Sequence, residues 1–135
     1  MTEKTIFEKI VDREIPARIV YEDDAHIAFL DVQPFEKGHI LVVPKKSYVT
    51  VWEMPETEFL ALQKIVYMVV QKVHNQIGGG INIHQNNLPS AHQEVPHVHF
   101  HVIPRNENKS VYTTGFHSEY ESDQEADQFL ELLRL

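Results

Sequence analysis

The sequence predicts an α+β fold, a five-stranded antiparallel sheet carrying one long and two shorter helices. Three observations lead there. Five short runs rich in Ile, Val and Phe are set off by Pro, Gly and acidic turns, which is strand patterning. One segment, residues 55 to 77, repeats apolar residues every three or four positions, and two shorter amphipathic stretches lie near the chain ends. The 135 residues fit one domain, taken here as 1–135, and have the composition of a globular protein, 42% hydrophobic and 24% charged.

In chain order, Ile6, Phe7, Ile10 and Val11 place a short helix over about residues 4 to 13, ending before Pro16. Ile19-Val20-Tyr21 and Ile27-Ala28-Phe29-Leu30 form an antiparallel pair around the polar turn Glu22-Asp23-Asp24, and His39 to Val43 adds a third strand closed by Pro44. Pro55, Glu56 and Glu58 suit the first turn of the long helix, whose stripe is Phe59, Leu62, Val66, Val69, Val70, Val73 and Ile77. Gly78-Gly79-Gly80 then stands where a left-handed helix cap wants glycine, a reading preferred to a phosphate loop because no Lys-Ser/Thr follows. Ile81 and Ile83 mark a fourth strand, and Val95 to Ile103 a fifth, ending at Pro104. Ser122 with Glu125 forms a capping box for a last helix over about 122–134, with apolar Ala126, Phe129, Leu130 and Leu133.

Bulk properties narrow the partners. A net charge of −8 argues against a long nucleic-acid footprint but not against a mononucleotide. No apolar run approaches the ~20 residues of a membrane span, and no apolar signal core follows Met1, so a cytoplasmic protein without membrane contact is expected. The absence of cysteine excludes disulfides, thiolate catalysis and thiolate zinc sites. Nine histidines remain as the unusual feature.

Three of them alternate in His97-Val98-His99-Phe100-His101. In a strand they share one face, with Val98, Phe100 and Val102 on the apolar other. Crowded imidazoles disfavour protonation, and a neutral ring is a nucleophile or a metal ligand. Strand neighbours two apart are ~6.7 Å apart and the outer pair ~13 Å, a spacing that suits two rings flanking a phosphate better than three rings on one ion. A His-rich metal site including Glu94 stays open on this geometry, as does a solvated polar face.

The run Gln93-Glu94-Val95-Pro96-His97-Val98-His99-Phe100-His101-Val102-Ile103 resembles the signature of the histidine triad family. Ile6-Phe7, Glu14-Ile15-Pro16, Tyr21-Glu22-Asp23, Ala28-Phe29-Leu30-Asp31, Gly38-His39 and Leu41 to Lys45 resemble the amino-terminal half of the same proteins, so the likeness covers about residues 5 to 105. The resemblance implies a homodimeric nucleotide hydrolase or transferase, closest to the small bacterial phosphoramidase branch, acting at the α-phosphate of a purine nucleotide. It implies His99 as the nucleophile that forms a nucleotidyl-histidine, His101 as a phosphate contact and proton-transfer group, and His97 as an orienting residue. It further implies Asn86 and His39 near the phosphate, Asp31 on the ribose hydroxyls, Gln93 in the phosphate site, and Ile6, Phe7, Phe29 and Val32 around the purine. Dinucleoside polyphosphate hydrolysis and a metal-binding protein are the alternatives.

Two positions depart from the family. Glu94 stands where the phosphoramidase branch commonly has serine, and His92 where glycine is usual, which puts an extra carboxylate and an extra imidazole on the leaving-group side. The zinc-binding cysteines of some bacterial relatives are missing, with Glu8 near one such position, so neither a cofactor nor a metal is expected. His26, His74, His84 and His117 receive no role, and Lys45-Lys46 reads as a solvated turn.

Overall fold

The computed structural model describes residues 3–105 and 118–135; His117 lies outside them. Its elements are α1 (Ile6–Val11), β1 (Ile19–Glu22), β2 (His26–Leu30), β3 (Ile40–Pro44), α2 (Glu56–Gln76), β4 (Gly80–Gln85), β5 (Phe100–Arg105) and α3 (Asp123–Leu133), with two single 3₁₀ turns at Val51–Glu53 and Pro89–Ala91. The fold is the predicted one: five antiparallel-paired strands in the order β1-β2-β3-β5-β4, with one long and two shorter helices.

Local chemistry sets the boundaries. Thr5 starts α1 through a capping box with Glu8, so the helix is shorter than its apolar pattern suggested. Asp23 closes the β1–β2 turn by accepting from the amides of Ala25 and His26 at 2.8 and 2.7 Å. After α2, Gly78 takes a φ of +76° and its N–H reaches the His74 carbonyl at 3.0 Å, the cap expected of glycine. Ser122 accepts from the Glu125 amide at the start of α3.

β3 and β4 are both antiparallel to β5, hence parallel to each other, and α2 carries the chain over one face between them. The fifth strand is inserted into the gap. Facing positions divide the core: Ala28, Leu30, Ile40, Val42, Phe100 and Val102 pack with Leu62, Ile65, Val66, Val69 and Val73 of α2. The opposite face, with Ile27, Phe29, Leu41 and Val43, packs on Phe7 and Ile10 of α1. Each fully buried Leu or Val on this scale contributes about 1.5–3 kcal/mol. α1 is short, covers only the β1–β2–β3 end of its face, and leaves the β5–β4 end open for function.

The sequence-based bounds of the fifth strand need correction. It begins at Phe100, because the His97 amide bonds back to the Val95 carbonyl (2.8 Å) and the Val98 amide to the Tyr48 carbonyl (2.7 Å), which removes both from a ladder. It also runs through Pro104 instead of ending before it. β3 pairs β5 only as far as Val102, so a residue lacking an N–H is tolerated where one side of the strand has no ladder partner. No helix among the described residues is long and apolar enough to cross a membrane.

Candidate active site

The open half of the α1 face holds a cavity of about 390 Å³, at the small end of the range for ligand sites. One end is apolar, walled by Ile6, Phe7 and Ile10 of α1 with Phe29, Leu41 and Val95; the other is lined by His84, Asn86, His92, Glu94, His99 and His101. Asp31 sits beside the apolar end, at the end of β2. Phe7 and Phe29 are buried at 5% and 3% exposure, whereas Ile6 and Val32 are exposed rim residues. A wider depression adjoins it over Arg18 and α3, and among the described residues no imidazole lines that one.

The three histidines of the motif occupy different environments. His97 is wholly buried and does not line the cavity; its Nε2–H donates to the Pro44 carbonyl at 2.7 Å, and its Nδ1 has no hydrogen-bond partner among the described residues. A carbonyl can only accept, so the proton must be on Nε2. The same logic applies to His99, whose Nδ1–H donates to the His97 carbonyl at 2.7 Å. Its Nε2 therefore carries the lone pair, and the ring is held edge-on against Phe7 with centroids 4.9 Å apart. It is the backbone of His97 that aims the His99 ring.

His101 has the opposite tautomer. The Phe35 amide donates to His39 Nδ1 at 3.1 Å, which leaves the His39 proton on Nε2. That N–H donates to His101 Nδ1 at 2.9 Å, so His101 keeps its own proton on Nε2. Neighbouring rings 4.9 Å apart thus offer a lone pair from His99 and an N–H from His101. His39 is wholly buried behind the cavity wall. Gln93, read from the sequence as a phosphate-site residue, is also behind it: its carbonyl oxygen accepts from the Leu88 amide (2.8 Å) and its amide donates to the Val49 carbonyl (2.6 Å).

Burial lowers the proton affinity of all three motif histidines, because a charged ring loses water that the protein does not replace. Repulsion from His97 adds to this at His99, and at His101 burial with repulsion from His99 and His84 takes the pKa down to about 3. Each ring is protonated near 6.5 in the unfolded chain but only at lower pH in the fold. Their contribution to stability is therefore complete above pH 6.5 and is lost as pH falls from there toward the folded values. The urea midpoint is expected to drop between pH 7 and pH 5; a constant or rising midpoint would contradict neutral burial of these rings.

The segment bearing Asn86, His92 and Glu94 is conformationally strained. Leu88 and His92 have φ of +73° and +67°, which explains why glycine would suit position 92. Such strain persists where the surroundings enforce it, here the two backbone bonds of the Gln93 side chain. Asn86 Nδ2 contacts the His92 carbonyl at 3.4 Å and otherwise fronts the cavity.

His84 is the cavity residue that the sequence reading left without a role. It is the register partner of His101 on β4 and lines the same cavity as Asn86, two residues further on and just past the end of that strand. The spacing to Asn86 was the available signal. Among other groupings, Asp31, His39 and His101 offer ligand atoms all within 4.8 Å of one another. Their donor types suit a divalent cation, but binding would replace the His39–His101 hydrogen bond, since a metal takes up lone pairs.

The HIT domain family model matches residues 12–108. An uncharacterised HIT-like protein of Methanocaldococcus jannaschii is 51% identical over 102 residues, covering 76% of this chain and 79% of that protein. The adenosine 5′-monophosphoramidase of Saccharomyces cerevisiae is 39% identical over 111 residues, covering 82% of this chain and 68% of that protein. In fold, a crystal structure of a Hit-like protein from Bartonella henselae matches with a TM-score of 0.86 and 30% identity, over 99% of this chain and 97% of that one.

Proposed function

The chain belongs to the histidine triad family, and from that premise we propose that it is a nucleotide hydrolase acting at the α-phosphate of a purine nucleotide, such as a nucleoside phosphoramidate or an adenylate. The observation that carries this reading is the pair of opposed tautomers. His99 presents a neutral Nε2 lone pair, and the adjacent His101 presents an N–H to the same cavity.

In the proposed reaction the purine occupies the apolar end and the Asp31 carboxylate accepts the ribose hydroxyls. His99 Nε2 attacks phosphorus and the P–N bond to the ring forms as the bond to the leaving group breaks, an amine leaving group taking up a proton from solvent; water then displaces the imidazole, adding its oxygen to phosphorus and releasing a proton. The non-bridging phosphate oxygens are anionic at the start of the reaction, so His101 Nε2–H donates to one of them without having to deprotonate, and His39 holds that tautomer in place. His97 orients His99 through its carbonyl. The likeness to a yeast adenosine monophosphoramidase supports this substrate class.

Incubation of the protein with adenosine 5′-phosphoramidate is expected to release AMP and, on rapid acid quench, to show the intact chain heavier by one adenylyl group. AMP release without any adduct under single-turnover conditions would remove the covalent step, and no release would remove the reaction.

A homodimer is part of the same proposal. Leu60, Gln63 and Tyr67 of α2 lie at i, i+3 and i+7, with Leu60 and Tyr67 57% and 64% exposed and the buried Gln63 Nε2 without a partner among the described residues. β4 is an edge strand of the sheet with Ile83 exposed. Exposed apolar residues on α2 and an open strand edge are both features that a second copy would cover.

A further inference from the structure

Resting on the proposed function, we infer that His84 is a specificity-determining residue that receives the leaving group of the substrate and selects an anionic one, a phosphate or sulfate oxoanion, over a neutral amine. The argument begins with the order of strands. Across the sheet run β2, β3, β5 and β4. The apolar end of the cavity lies over β2 and β3, where Phe29 and Leu41 meet α1, and Asp31 ends β2. The nucleophile and its N–H donor neighbour lie on and just before β5. A nucleotide laid out base, ribose, phosphate therefore crosses the sheet from β2 to β5. In-line displacement puts the leaving group opposite the entering nitrogen, and in the proposed pose it points toward β4, the strand beyond β5 on the side away from the ribose.

What β4 offers there is His84. It stands directly opposite His101, and directly opposed side chains on an antiparallel pair have Cβ atoms about 4.5–5.5 Å apart. A group bound between the phosphate site and β4 is thus within reach of both rings. The fixed imidazoles of His97, His99 and His101 each spend a nitrogen on the protein. The His84 ring makes no hydrogen bond or ion pair among the described residues, so both nitrogens are open to a ligand. Its neutral form has one N–H, which hydrogen-bonds a departing oxoanion; an amine departs only after taking up a proton, which a neutral imidazole N–H is too weak an acid to give.

The surroundings add to this bias. Burial lowers the proton affinity of His84, and Arg105, further along β5 and opposite Gly80, adds to it by repulsion, so the positive potential of that edge extends over the ring. Arg105 itself is committed to Asn82 at 2.9 Å and to the Phe35 ring, and acts by its field. Glu94, at the same polar end of the cavity, repels an anion, which makes the donor at His84 the decisive one on the β4 side.

The test compares His84→Leu, which removes the donor at similar bulk, with His84→Gln, which restores an N–H. kcat/KM is measured on adenosine 5′-phosphoramidate, adenosine 5′-phosphosulfate and diadenosine triphosphate. His84→Leu is expected to lose about tenfold on one or both anionic substrates and less than twofold on the phosphoramidate, with His84→Gln recovering most of the loss. Which anion is affected identifies the oxoacid. Equal loss on all three, or no loss on any, overturns the inference. Should wild type release AMP from none of them, the proposed reaction fails by itself, and calorimetric titration with inorganic pyrophosphate decides the rest. Binding weakened about tenfold by His84→Leu and recovered by His84→Gln upholds the anion site; equal binding by all three proteins overturns it.

Discussion

His99→Ala is expected to lower AMP release from adenosine 5′-phosphoramidate by about four orders of magnitude and to abolish the adenylyl adduct, with binding of AMP changed only a few-fold. The size follows from what is deleted. Without the Nε2 lone pair the only attacking group left is water, and catalysis falls to what binding and phosphate donors supply, as when nucleophiles of other covalent enzymes are removed. The fold should tolerate the change. The His99 ring is buried, but the hydrogen bond it makes among the described residues is to the backbone carbonyl of His97, which water can reach through the space the ring vacates. AMP release at near wild-type rate by His99→Ala would assign the nucleophile elsewhere.

His97→Ala is expected to act first on stability. It removes a wholly buried ring and leaves the Pro44 carbonyl without its 2.7 Å donor, two losses that together cost about 2–4 kcal/mol of unfolding free energy. The carbonyl that aims His99 belongs to the backbone and survives, so at temperatures where the variant is folded, kcat should fall far less than in His99→Ala. His97→Gln, which can still donate to Pro44, is expected to regain part of the stability. Urea denaturation together with kcat on the phosphoramidate separates the outcomes. A fully stable His97→Ala with kcat as low as that of His99→Ala would make the His97 ring a direct participant in the chemistry.

Much of the fold was legible because its signals are local. The period of α2, the acidic turn at Asp23 and the glycine cap at Gly78 each depend on a few neighbouring residues, and the structure has all three; of the box expected at Ser122 only the Ser122 half forms, because the Glu125 carboxylate accepts from the Glu121 amide instead of the Ser122 amide. The ends of β5 were not legible. They depend on where the amides of His97 and Val98 find acceptors, and one of these acceptors, Tyr48, is fifty residues away in the chain. Asn86, His99 and His101 reached the cavity as read, while Gln93 and His39 proved to be supports of its wall. Both kinds of residue carry the same polar groups, and only their partners distinguish a ligand contact from a brace.

By itself, then, the chain's sequence determined the α+β class, the elements and the concentration of imidazole near residue 99, because periodicity, capping and turn chemistry act within a few residues. Tertiary structure decided the rest. The strand order β3-β5-β4 set His84 across from His101, and the carbonyls of Pro44 and His97 with the amide of Phe35 chose a tautomer for each ring. A histidine's proton goes where its partner requires, and those partners come from parts of the chain that only folding brings together.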